Sequence, residues 1–360
     1  MSNVVFSFFS GSGFLDLGFE KAGFDVVFVN ELDKAFIKAY EHSRDVMGHE
    51  KPKYGYHAVS IDEYISGEVS TELLNNVITE QKLGNLVGFI GGPPCPDFSV
   101  GGKNKGKDGE NGRLSQSYVE CVKKYKPDWF VFENVKGLWR TKKHREFYDH
   151  LKAELIESGY VLNDKLINSL EYGVPQDRDR IILFGVKKEI SEKINKDFPW
   201  EVNMKYPGKQ AFNFDWPTKN DFGDNPSLPK EVPAELTIQY WFDKNSVTTH
   251  INGDDFFTPR AGLPKFLVIE EGDTSKKSYK RLHRYRYSPT AAYGNNEVHL
   301  HPYKARRLSA AEAMAIQSLP KEFELPKSMT LSAMFKTIGN GVPFLFSHGI
   351  ALTIKGYLEA

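Results

Sequence analysis

Cys95 is one of only two cysteines in the 360-residue chain. It stands between prolines in GGPPCPDFS, just after the apolar run LVGFI (86–90). That places it in a loop at the carboxyl end of a strand, where α/β ligand sites form. Alone it would read as a turn cysteine, but three further features argue otherwise, one of them the tight IGNGVP turn (338–343) near the C-terminus. Glu133 and Asn134 follow the run WFVF (129–132) directly, and Arg178 and Arg180 stand two apart in QDRDR beside RIILFGV (180–186). At the amino end, VVFSFF (4–9) runs into SGSGFLDLGF, where Gly11 and Gly13 permit a tight turn and close approach of a ligand. Glu31 follows the second strand, where an acid can accept hydrogen bonds from ribose hydroxyls.

The third glycine of a dinucleotide fingerprint is missing, because Phe14 follows GSG. This disfavours pyrophosphate cofactors such as NAD and FAD, and a nicotinamide oxidoreductase with them. It leaves an adenosine-bearing cofactor without a pyrophosphate, such as S-adenosylmethionine. A thiol, a carboxyl, paired arginines and an adenosine pocket then combine into one chemistry. The thiolate adds to an electron-poor ring, the carboxyl group activates that ring, and an arginine binds its carbonyl oxygen. The ring carbon so activated takes a methyl group.

These groups need a sheet to hold them. Strand-like runs at 4–9, 25–29, 86–90, 129–132 and 180–186 alternate with amphipathic stretches, which predicts a mainly parallel α/β sheet. Phe147, Leu151 and Leu155 recur four apart in a helix that Gly159 should cap. From about residue 190 to 283 the texture is irregular, with scattered prolines and turn signals such as DWPTKND and FGDNPSLP. Regular structure returns at RRLSAAEAMAIQSLP, where Ser309 and Glu312 predict a capping box and Pro320 a stop. The reading is a catalytic and cofactor-binding domain at 1–189, a smaller irregular domain at 190–283, and a segment at 284–360 that returns to the first.

Composition narrows the partners. Lysines and arginines equal the acids, so the formal net charge is zero, which argues against a protein that simply coats nucleic acid. Basic residues nevertheless cluster at Lys103, Lys105 and Lys107, in KGLWRTKKHR (136–145) and in KKSYKRLHRYR (276–286), which favours a polyanion. Two cysteines suggest no disulfide framework, and no signal peptide, membrane-spanning run or metal-ligand spacing is evident.

The chain resembles the DNA (cytosine-5) methyltransferases of prokaryotic restriction-modification type. The motifs FFSGSGFLDLGFEKAGF, GGPPCPDFS, FENV, VPQDRDRIILFG, RRLSAAEAMAIQSLP and IGNGVP stand in the family's order. The resemblance implies a Rossmann-like S-adenosylmethionine-dependent methyltransferase domain plus a target recognition domain at 190–283. It implies that Cys95 attacks carbon 6 of a flipped-out cytosine and Glu133 engages its ring nitrogen and amine. Arg180 would hold the carbonyl oxygen, and Arg178 would brace the nucleophile loop or a phosphate. The cofactor would meet Phe9, Ser10, Gly11, Gly13, Phe14, Leu15, Glu31, Leu32, Asp62, Pro93, Leu114, Asn340 and Val342. Phe9 would stack near the adenine and Glu31 would bind the ribose.

Double-stranded DNA would be met by Ser99, Lys103, Lys105, Lys280, Arg281, Arg284 and Arg286. The implied setting is a cytoplasmic monomer that pairs in function with a restriction endonuclease or a defence system. Three departures stand out: Pro96 replaces the usual glutamine, Phe14 replaces a common glycine, and either Ser60 or Asp62 aligns with the acid that meets the adenine amine. The same chemistry on tRNA, or a catalytically silent DNA-binding regulator, are the alternatives.

Overall fold

The structure, a computed structural model, describes residues 2–94, 110–259, 261–276, 278–290, 293 and 298–360. Strand β1 (Ser2–Phe8) shows why a sheet lies at its centre. Val4, Phe6 and Phe8 enter one apolar cluster and Val5 enters another, so both faces of the strand must be covered. The sheet is completed by β2 (Asp25–Asn30), β3 (Tyr56–His57), β4 (Asn85–Gly91), β5 (Trp129–Val135), β6 (Tyr160–Asn168) and, after the two-residue β7 (Gln176–Asp177), β8 (Asp179–Lys187). Its order is β3-β2-β1-β4-β5-β8-β6. The pairs from β3 across to β5 are parallel, and β8 alone runs against its neighbours. The mainly parallel sheet expected from the apolar runs is therefore present, with one reversed strand.

Helices α1 (Phe14–Lys21) and α2 (Lys34–Val46) follow β1 and β2, while α3 (Asp62–Ser66) and α4 (Glu68–Lys82) lead into β4. Around β5 stand α5 (Glu110–Tyr125), α6 (Gly137–Arg140) and α7 (Lys142–Glu157). Leu74 and Ile78 of α4, Tyr118 and Val122 of α5, and Leu151 and Leu155 of α7 cover the face that carries Phe6 and Phe130. The opposite face carries Val5, Trp129 and Val131. It is covered by Phe19 of α1 and by Phe346, Ile350 and Ile354 of the last helix. Gly88 makes room for this layer, since a Cβ there would lie 2.1 Å from the Trp129 ring.

Beyond β8 and α8 (Lys188–Ile194) the chain is mostly turns, with short pieces α9 (Ile238–Lys244) and α10 (Leu263–Phe266). Phe198 and Met204 still pack into the sheet's own core, past the boundary expected at 190. Strand β9 (Lys280–Arg281) pairs with β11 (His299–Leu300), and β10 (Ser288–Pro289) pairs with β7. Then come α11 (Ala310–Ile316), α12 (Leu331–Asn340) and α13 (Phe344–Leu358). The capping box at Ser309 and Glu312 forms in both directions, as expected. Helix α13 lies against α1, which brings the end of the chain back to its beginning. Among the described residues no helix is long and apolar enough to cross a membrane.

Candidate active site

The carboxyl edge of the sheet collects the loops after β1, β2 and β4, the end of β5 and the start of the reversed β8. Reversal is what delivers the arginines: in the β5–β8 register Val135 faces Arg180 and Glu133 faces Ile182. Arg180 Nε lies 2.8 Å from Glu133 Oε1, and both side chains are nearly buried. Burial raises the Glu133 pKa above the ordinary carboxylate value, outweighing the attraction of Arg180 and Arg178. A carboxyl group poised toward its protonated form is suited to donating to a ring nitrogen. Gly92 stands against it: a Cβ at that position would lie 2.8 Å from Glu133 Oε2. The segment after β4 that leads toward Cys95 thus begins against the Glu133 carboxyl group. Cys95 itself, and with it Pro96, Ser99, Lys103 and Lys105, lies outside the described residues. Asn134 is buried beside Glu133, and its Nδ2 has no hydrogen-bond partner among the described residues.

Arg178 is fully buried and donates from Nη2 to the carbonyl oxygens of Gly339 and Gly341, both at 3.0 Å. Those carbonyls flank Asn340 in the IGNGVP turn. Arg178 therefore ties the arginine strand to the C-terminal turn, a role the sequence motif did not reveal.

At the β1 and β2 ends the turn is held from several sides. Gly11 and Gly13 take φ of 56° and 77°, the left-handed region that favours glycine. The Gly11 N–H donates to Glu31 Oε2 at 2.9 Å, and the Asp33 N–H donates to Glu31 Oε1 at 2.8 Å. Burial raises the Glu31 pKa despite these bonds. Ser12 Oγ pairs with Thr337 Oγ1 at 2.7 Å, and Ser10 is anchored on the Asn30 carbonyl. A Cβ built on Gly11 meets nothing within 4 Å among the described residues.

Ser60 and Asp62 come together, with Ser60 Oγ 3.2 Å from Asp62 Oδ2. Ser117 donates to Asp62 Oδ1 at 2.7 Å, and Arg113 pairs with the same carboxylate. Burial works to raise the Asp62 pKa, but these hydrogen bonds prevail and hold it below the usual value. Phe9 and Leu114 are half-buried, Pro93 is buried, and Asn340 and Leu32 are exposed. Leu15 and Val342 belong to the apolar core.

The Phe14 ring is buried: it packs edge-on against Phe323 at 5.0 Å and fills the space that a side chain at Gly341 would need. One expectation needs correction: the arginines of KKSYKRLHRYR are not all free for phosphates. Arg281 is fully buried and donates to the carbonyls of Phe266, Ile269, His301 and Lys304, and burial lowers its pKa to about 10. Arg284 forks onto Glu271 at 2.8–3.2 Å and reaches the Asp224 carbonyl. Arg286 is half-buried and donates to the Pro217 carbonyl at 3.3 Å. Lys280 remains half-exposed, and Lys276 is exposed. Charge in a sequence shows that an arginine needs acceptors, but not that backbone carbonyls supply them.

A seven-stranded sheet with one reversed strand, bearing a glycine turn and an acid–arginine pair on one edge, defines a Rossmann-like methyltransferase. The comparisons make the class specific: the chain belongs to the C-5 cytosine-specific DNA methylase family, whose model matches residues 4–356. It is 62% identical over 356 residues to the Type II methyltransferase M.NmeDI of Neisseria meningitidis serogroup C, covering 99% of this chain and 84% of that one. The Type II methyltransferase M.MthTI of Methanothermobacter thermautotrophicus is 29% identical, with 100% and 99% covered. The crystal structure of the S. pombe Dnmt2 methyltransferase shares the fold, with a TM-score of 0.58 at 13% identity over 100% of this chain and 99% of that one. The protein is accordingly an enzyme that methylates carbon 5 of cytosine in DNA.

Proposed function

We propose that Cys95 is the nucleophile of this reaction and that Glu133 and Arg180 bind the target base. The observation that carries this is the buried Glu133–Arg180 pair with Gly92, three residues before Cys95, packed against the carboxyl group. The Cys95 sulfur adds to carbon 6 of cytosine while Glu133 donates a hydrogen bond to the ring nitrogen, so electron density gathers at carbon 5. Carbon 5 would then take the methyl group that bound S-adenosylmethionine supplies, the methyl–sulfonium bond breaking to leave S-adenosylhomocysteine. Loss of the carbon 5 proton to a base and cleavage of the carbon 6–sulfur bond then restore the aromatic ring and free the thiolate. Carbon 5 is unreachable in a stacked duplex, so the cytosine is flipped out.

The residues at the first turn fit S-adenosylmethionine. Glu31 follows β2 with a carboxylate for ribose hydroxyls, a Cβ at Gly11 would meet nothing within 4 Å among the described residues, and Asp62 with Ser60 offers acceptors near β3. Bound there, the cofactor supplies an electrophilic methyl group. The turn-rich segment 190–283 is assigned to reading a specific duplex sequence, with Lys276 and Lys280 for its phosphates. The Type II names of the relatives support pairing with a restriction endonuclease, and a prokaryotic cytoplasm is the setting proposed for it.

The test is transfer from S-adenosylmethionine labelled in its methyl group to mixed-sequence duplex DNA and, separately, to tRNA. The expected result is label in DNA at cytosine carbon 5, none in tRNA, and none with Cys95→Ala. Absence of transfer to DNA across many sequence contexts would overturn the reading.

A further inference from the structure

Behind the Gly11–Gly13 turn lie charged groups that the reaction does not use. Asp16 lies in α1 between apolar neighbours and is completely buried. Such a group needs partners. It accepts from Ser7 Oγ and from the Tyr40 hydroxyl, each at 2.9 Å. Burial and the nearby Glu20 push its pKa up to about 7, against the pull of Arg44, Ser7 and Tyr40. Glu20 in turn receives Arg44 Nε at 2.8 Å and lies 3.2 Å from His49 Nδ1. Arg44 stacks its guanidinium over the Tyr40 ring at 4.4 Å and is 2% exposed. Nη1 donates to Ser43 Oγ at 3.3 Å, and Nη2 donates to the Gly13 carbonyl at 2.7 Å.

That last bond has a directional consequence. The Gly13 carbonyl already accepts the Leu17 N–H at 3.0 Å, as the first hydrogen bond of α1. Arg44 adds a charged donor to the same oxygen and draws it rearward. Across a trans peptide the carbonyl and the following N–H point in opposite directions, so the Phe14 N–H is aimed forward at the open end of the helix. Space at the rear is tight: a Cβ on Gly13 would lie 2.5 Å from Tyr40 Cε2 and 2.9 Å from Arg44 Nη2. The Gly11 and Ser12 anchors, Glu31 and Thr337, come from just after β2 and from α12, whereas Arg44 comes from α2.

We infer that Arg44, clamped by Glu20 and Tyr40, is a positioning residue that sets the Gly13 peptide for S-adenosylmethionine without touching it. The inference rests on the cofactor assignment above. Losing one charged hydrogen bond to the turn should weaken cofactor binding by about tenfold or more.

The experiment measures binding of S-adenosylhomocysteine by calorimetry, the KM for S-adenosylmethionine, kcat at saturating cofactor, and DNA affinity. It compares the wild-type enzyme with Arg44→Met, Arg44→Lys and Glu20→Gln, and monitors thermal unfolding of each. Arg44→Met should raise the cofactor Kd and KM together, with kcat at saturation and DNA affinity close to wild type. Arg44→Lys should recover part of the loss, and Glu20→Gln should show a smaller rise. A folded Arg44→Met enzyme with wild-type cofactor affinity overturns the inference. So does an equal loss of cofactor affinity, DNA affinity and kcat, which marks a merely structural role. If Arg44→Met does not fold, unchanged KM in both Arg44→Lys and Glu20→Gln overturns it. Failure of the wild-type enzyme to bind S-adenosylhomocysteine would instead reject the cofactor assignment.

Discussion

Glu133→Gln is expected to lower the methyl-transfer rate by about 10²–10⁴-fold, the usual range for losing a positioned acid. The substitution keeps the side-chain length, and its amide oxygen can still accept from Arg180 Nε, now 2.8 Å from Glu133 Oε1. What disappears is a carboxyl group whose pKa burial has raised, and with it the capacity to hold a proton toward the cytosine ring. Cofactor affinity should be unchanged, because none of the turn's hydrogen bonds from Glu31, Thr337 or Arg44 runs through Glu133. Single-turnover kinetics with saturating DNA, alongside calorimetry with S-adenosylhomocysteine, separates the two quantities. A variant that keeps its rate, or loses cofactor affinity in proportion, would remove Glu133 from the chemistry.

Arg178→Met should act through a different physical route. Arg178 is fully buried and supplies donors to two backbone carbonyls, Gly339 and Gly341, as well as positive charge toward Glu133. Methionine fills similar volume but leaves those carbonyls without these donors and Glu133 with one cation fewer. Removing one partner from a buried charged network costs about 3–5 kcal/mol. The expected result is a loss of that size in urea unfolding, accompanied by weaker cofactor binding as the turn around Asn340 loosens. Arg178→Lys should recover part of it, since an ammonium group can donate to one carbonyl but cannot reproduce the fork. Here stability and activity fall together, whereas in Glu133→Gln activity falls much further than stability. A wild-type unfolding midpoint for Arg178→Met would show that the clamp carries no load.

These contrasts mark what could be read from residue order alone. The runs that became β1, β2, β4, β5 and β8 were legible because strands covered on both faces are nearly continuous in apolar residues. Strand β6 was not, since YVLNDKLIN sits half-buried at the sheet's edge and mixes polar with apolar side chains. Nor does any run of residues announce direction, so the reversal of β8 that places Arg180 beside Glu133 came only from the register. Glu133, Arg178 and Arg180 stand out in the sequence by motif and by their place beside strand-like runs. Arg44 and Asp16 were missed because their partners lie far off in sequence: Arg44 reaches Gly13 across 31 positions. A signal did exist in FLDLGF, where an acid interrupts the apolar face of α1. The run KKSYKRLHRYR misled for the reverse reason, because Arg281 is spent on holding carbonyls around α10 and β11.

In the proposed mechanism the segment that starts at Gly92 delivers Cys95 to a cytosine held by Glu133. A duplex carrying 5-fluorocytosine at the methylated position tests it most directly, because fluorine at carbon 5 cannot leave as a proton does and the sulfur–carbon 6 bond persists. With S-adenosylmethionine present, the enzyme should form a denaturation-resistant complex with this DNA. Peptide mapping should place the adduct on Cys95, and Cys95→Ala should form none. A complex mapped to another residue, or active enzyme that forms no complex with the fluorinated duplex, would contradict the account.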